Sequence, residues 1–186
     1  MIKQANNLEK NTNKILCSNI SQQEKNNAFN IFYDDLIELP YHIFEKSDFN
    51  EVILKYNLRA PKTFRHKNVK FKLTDINHDM YKPINPKTEL FYVQTNYQFH
   101  SIKINNKHIY EKFSRNLDEP WREFLYLSWK NSEPYAIDGS INANKTQLND
   151  WIKSWKEFQK KYPNFAKHEY VEELIKYYKS EIKKVD

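Results

Sequence analysis

Glycine is almost missing from this sequence. Gly139 is the single glycine in 186 residues, where average usage would supply roughly 13. Loops that cradle phosphates need several glycines, so that backbone N–H groups can approach the anion. Neither a P-loop nor a dinucleotide fingerprint is present, and nucleotide-binding enzymes of those classes are excluded. Cysteine is equally scarce. Cys17 alone forms no internal disulfide, builds no cysteine-based zinc site, and cannot supply the cysteine pair of a zinc deaminase. No apolar run approaches the ~20 residues of a membrane span, and Met1 to Asn7 lack the apolar stretch of a secretory signal. These absences lead us to expect a soluble cytoplasmic protein with no membrane partner, no metal and no cofactor.

Arginine is also in short supply. Arg59, Arg65, Arg115 and Arg122 are the only arginines among 30 basic residues. The net charge of +6 is therefore carried by lysine, which lacks the planar fork that grips phosphates and guanine edges bidentately. The lysine arrives with abundant Asn, Ile and Tyr, a mixture that also suits an AT-rich coding bias. The charge is compatible with a nucleic-acid partner without requiring one.

Aromatic side chains, by contrast, are plentiful: Trp 4, Tyr 13 and Phe 12. Hydrophobic residues make up 39 % of the chain, enough to build a packed core. The aromatics exceed what one core of this size readily hides, so some are expected at the surface, available for binding.

Along the chain, residues 1–20 read as a mobile polar segment or marginal helix, followed by one domain over 21–186. Ser21 and Glu24 fit a capping box. Ala28, Phe29, Ile31, Phe32, Leu36 and Ile37 then recur at helical spacing, with Pro40 expected to end the run. A short helix is expected after Ser47. From Asn68 the period changes to two, and Val69, Phe71 and Leu73 predict a strand. Residues 75–88 read as loop and Leu90 to Thr95 as strand. Asp118-Glu119-Pro120 supplies a helix start, and Thr146 to Tyr162 is the clearest amphipathic helix, with Leu148, Trp151, Ile152, Trp155 and Phe158 in one stripe. A last helix is expected over 167–184. Helices, then strands, then helices predict an α+β fold: N-terminal helices, a small antiparallel β-sheet with a central hairpin, and C-terminal helices packed on the sheet.

The hairpin is expected at 97–113, turning at Asn105-Asn106, because asparagine tolerates the positive φ of a type I′ turn. Such a turn would set Ile102 opposite Ile109 and His100 opposite Glu111. One chemical reading of that pair is a general acid–base dyad for metal-independent RNA cleavage, with Arg115 stabilising the phosphate. The plainer reading is a cross-strand polar contact at a sheet margin. On the opposite face, Phe99 and Tyr110 would stack bases while Lys103, His108 and Lys112 track a single-stranded backbone.

Two lesser clusters stand out. Asp75, Asn77, His78 and Asp79 gather oxygen and nitrogen donors, but without the glycine of a tight calcium loop. Lys62, Arg65, His66 and Lys67 form a basic run. Neither carries a recognisable motif. The residues favour a non-enzymatic interaction protein of inhibitor, immunity or accessory type, which binds and occludes a protein partner. The alternative is a single-strand nucleic-acid binder or a ribonuclease centred on the hairpin. Oligomeric state is not legible.

Overall fold

The computed structural model describes residues 2–44, 81–83, 90–96, 99–131 and 143–185. Six α-helices account for most of them: α1 (Ile2–Leu16), α2 (Gln22–Phe44), α3 (Asn106–Phe113), α4 (Glu119–Lys130), α5 (Lys145–Lys161) and α6 (His168–Val185). The protein is mostly helical. This overturns the expected α+β fold with C-terminal helices on an antiparallel sheet. Among the described residues, extended chain is limited to three short segments, β1 (Tyr81–Pro83), β2 (Phe91–Asn96) and β3 (Phe99–Ile104). The chain forms two compact units, residues 1–108 and 109–186.

In the first unit, the stretch read as a marginal helix is α1, which packs along α2. The capping box at the start of α2 forms as expected. The Glu24 N–H donates to Ser21 Oγ at 3.3 Å, and the Ser21 N–H donates back to Glu24 Oε2 at 2.9 Å. Phe29, Phe32, Tyr33 and Leu36 of α2 are buried with Leu16 of α1. Pro40 does not end α2, which runs on to Phe44. Proline lacks the N–H that would return to the Leu36 carbonyl, so the helix continues one bond short.

The strands pair antiparallel in the order β1-β2-β3. Tyr81 to Pro83, expected as loop, form a strand paired with β2, with Pro83 opposite Tyr92. The hairpin is one strand earlier than expected. Val93 faces Ile102, Tyr92 faces Lys103 and Thr95 faces His100. The second arm of the expected hairpin is a helix instead. Asn105 turns the chain by capping α3, its Oδ1 accepting from the His108 N–H at 3.1 Å. Ile109 and Phe113, four residues apart, are both buried, a helical spacing that alternation had disguised. The short helix after Ser47, the 69–74 strand, the 75–79 donor cluster, the 62–67 basic run and Gly139 lie outside the described residues.

The second unit is a helical core built on aromatic rings. Asp118 caps α4, its Oδ1 accepting from the Trp121 N–H at 3.2 Å. Asn144 and Gln147 form a reciprocal capping box on α5. Phe124 of α4 is the hub, with ring centroids 5.1 Å from Phe165, 5.6 Å from Trp121 and 5.7 Å from Trp155. From α5, Leu148, Ile152, Trp155 and Phe158 are buried, and α6 adds Val171, Ile175 and Tyr178.

Candidate functional site

The residues proposed from the sequence do not converge as the hairpin required. His100 sits on β3 opposite Thr95, whereas Glu111 is an exposed residue of α3, so the cross-strand pairing behind the acid–base dyad does not exist. Arg115 lies beyond it, exposed in a 3-10 turn over Ser114–Asn116. The proposed base-stacking face is likewise divided. Phe99 and Lys103 are on β3, while His108, Tyr110 and Lys112 are on α3. Lys103 is half-buried, and desolvation pushes its ammonium pKa down.

His108 is engaged inside the first unit. Its Nε2 lies 2.9 Å from Oε1 of Glu9 on α1, a carboxylate only 3 % exposed. This contact ties α1 to the first turn of α3. It uses His108 as a structural partner, not as a group facing solvent. Among the described residues, no cluster of three or more His, Cys, Asp or Glu side chains could hold a metal ion. Nor is any helix there long and apolar enough to cross a membrane.

A different group of side chains does assemble at the surface of the second unit. Tyr110 on α3 stands 5.7 Å from Tyr126 and 5.5 Å from Trp129 of α4, centroid to centroid, and Tyr126 and Trp129 meet edge to face at 6.1 Å. Tyr126 is 42 % exposed, and Tyr110 and Trp129 are half-buried. The exposed Lys130 places its Nζ 4.0 Å from the Trp129 ring centroid and 5.8 Å from that of Tyr126. Three rings and a cation thus form a continuous amphipathic surface.

The periodicity of α4 explains why. Trp121, Phe124 and Leu125 turn inward and are buried. Arg122, Tyr126 and Lys130, one turn apart, fall on the outer face, where all are exposed. The acids of the same helix are drawn elsewhere. Lys161 Nζ donates to Glu119 Oε1 at 2.9 Å and to Glu123 Oε2 at 2.8 Å. That ammonium holds the Glu119 carboxyl below its usual range, and Glu119 first, then Glu123, hold the Lys161 ammonium above its own.

Tyr110 is a candidate from the sequence for a different reason, base stacking, and Tyr126, Trp129 and Lys130 are not among the sequence candidates. The signal was present: Tyr126, Trp129 and Lys130 lie at the i, i+3, i+4 spacing of one face, opposite the spacing of Trp121, Phe124 and Leu125. No family model, curated protein or solved structure matches this chain.

Proposed function

We propose that the chain is a small soluble cytoplasmic interaction protein, of inhibitor, immunity or accessory type, that binds and occludes a protein partner through the Tyr110–Tyr126–Trp129–Lys130 surface. The observation that carries this reading is the three-ring cluster itself, with Tyr126 exposed and Tyr110 and Trp129 half-buried beside it. Trp and Tyr dominate the energetic centres of protein interfaces, because each brings large rigid area at little entropic cost. The geometry favours a protein over a stacked base. The rings are tilted or edge-on to one another, and Lys130 already lies over Trp129 and Tyr126, on the faces a nucleobase would need.

The test is affinity capture from nuclease-treated cells of the source organism, with the parent chain and the Tyr126→Ala variant side by side. The expected result is one protein held in stoichiometric amount by the parent and lost from the variant. Equal recovery by both, or none by the parent, overturns the proposal. Tyr126 is exposed, so the substitution leaves the fold in place, which circular dichroism checks.

A further inference from the structure

The outer face of α5 carries a ladder of lysines. Lys145, Lys153, Lys156 and Lys160 occur with Asn149 at i, i+8, i+11, i+15 and i+4, positions that fall within one narrow stripe at about 100° per residue. All are exposed, and the adjoining stripe of the same helix, Leu148, Ile152, Trp155 and Phe158, is buried. Lys145 to Lys160 spans 15 residues, or about 22 Å of helix. A shallow hollow of about 380 Å³ opens along the stripe, lined by Asn149, Ile152, Lys153, Lys156, Glu157 and Lys160.

Three of these lysines, Lys153, Lys156 and Lys160, carry no neutralising partner among the described residues. Lys161, on the next turn position, is held by Glu119 and Glu123, and Lys176 on α6 is held by Glu173. Lys153, Lys156 and Lys160 make no ion pair or hydrogen bond among the described residues. Yet Asp150 lies three residues before Lys153, and Glu157 lies within four residues of both Lys153 and Lys160, the separations at which helical ion pairs form. Mutually repelling ammonium groups on a rigid, core-anchored helix are an electrostatic cost unless a polyanion offsets it.

We propose that this face of α5 binds the phosphate backbone of a nucleic acid, without reading its sequence. A nucleic-acid strand repeats its charge every ~3.4 Å along a duplex axis, so a row of flexible ammonium arms meets a phosphate at any register. The carboxylates of a folded acidic protein have no such repeat. The stripe contains neither arginine nor an aromatic ring, so it has no bidentate grip on base edges and no stacking platform. The site is independent of the ring cluster on α3 and α4.

Fluorescence anisotropy with a labelled single-stranded RNA and a random-sequence DNA duplex tests the proposal. If Lys153, Lys156 and Lys160 each displace a counterion, raising salt from about 50 to about 200 mM weakens binding roughly 20-fold for the single strand and 40-fold for the duplex. The affinities of the two probes at one salt concentration tell which nucleic acid is preferred. The variant Lys153→Gln/Lys156→Gln/Lys160→Gln loses that share of the slope. A charge-matched control, Lys10→Gln/Lys14→Gln/Lys179→Gln, removes exposed lysines elsewhere and retains it, as does Tyr126→Ala. Equal losses in the stripe variant and the control, absence of salt-dependent binding, or tighter binding of poly-glutamate than of either nucleic acid overturns the proposal.

Discussion

Asn105 and Asn106 lie where a hairpin turn and a helix cap make opposite demands, and substitution there separates the two. In the structure Asn105 is the N-cap of α3, its side chain accepting from the His108 N–H at 3.1 Å. Its own N–H donates to the Leu90 carbonyl at 2.8 Å, a backbone bond that any non-proline residue keeps. Asn105→Ala therefore removes one cap bond and little else, a loss of about 1 kcal/mol. Asn105→Asp or Asn105→Ser restores an acceptor and recovers most of it. Asn106 occupies the first helical position, whose N–H has no intrahelical acceptor and whose φ suits proline. Asn106→Pro is then expected within about 0.5 kcal/mol of the parent, because an N-cap residue ordinarily adopts the extended region that a following proline favours. In a type I′ turn the same position needs positive φ, which proline cannot adopt, while Asn106→Gly would strengthen the turn. Urea unfolding followed by circular dichroism reads the stabilities. Amide exchange at His108 reads the cap locally, with about fivefold faster exchange expected in Asn105→Ala. Collapse of Asn106→Pro together with stabilisation by Asn106→Gly would refute the helix and reinstate the hairpin.

Two further outcomes follow from the second unit. Trp155 is fully buried against Phe124 and Phe158, so Trp155→Ala is expected to cost about 3–5 kcal/mol by the usual scale for emptying an aromatic site; a urea-derived loss below about 1 kcal/mol would mean the ring cluster is not the core. The Glu119 carboxyl is held down chiefly by the Lys161 ammonium. Its contribution to stability is thus present above the unfolded carboxylate range and is lost as pH falls through the depressed native value. An NMR titration should show the Glu119 pKa rising toward normal in Lys161→Met, and an unchanged value would remove the pairing.

What the sequence made legible was local chemistry acting within one turn of helix. Ser21 with Glu24, Asp118 before Pro120, and the Leu148–Ile152–Trp155–Phe158 stripe each state their structure over a handful of residues, and each formed. Asn144 and Gln147 belong to the same class, since asparagine followed three residues later by glutamine is a capping-box pattern, though α5 was expected to begin one residue later. The segment 106–113 was misread because its evidence was ambiguous in kind. Ile102, Ile104 and Ile109 alternate across an Asn-Asn step, and asparagine serves turns and helix caps equally well. Only the i, i+4 pair of Ile109 and Phe113 argued for helix, and it is short enough to pass for strand alternation. Once the second arm coils, every pairing built on it disappears together, including His100 with Glu111.

The abundance of aromatics reaches the surface by a route that composition foreshadowed but did not locate. Phe124 of α4 is already surrounded by the rings of Trp121, Trp155, Phe158 and Phe165, so the inner face of that helix has no place for more. Tyr126 and Trp129 must then lie at its outer edge, where Tyr110 meets them and Lys130 covers them. Charge is partitioned by the same packing. Docking α4 against the end of α5 brings Lys161 to Glu119 and Glu123, which engages the acids of α4 and leaves Lys130 beside the rings. Along α5 it satisfies one lysine and leaves Lys153, Lys156 and Lys160 outward. One helix–helix contact therefore produces both the cation-flanked ring cluster and the bare lysine stripe. Reversing it with Lys161→Glu would be expected to disturb the two surfaces at once, although their side chains lie on different helices.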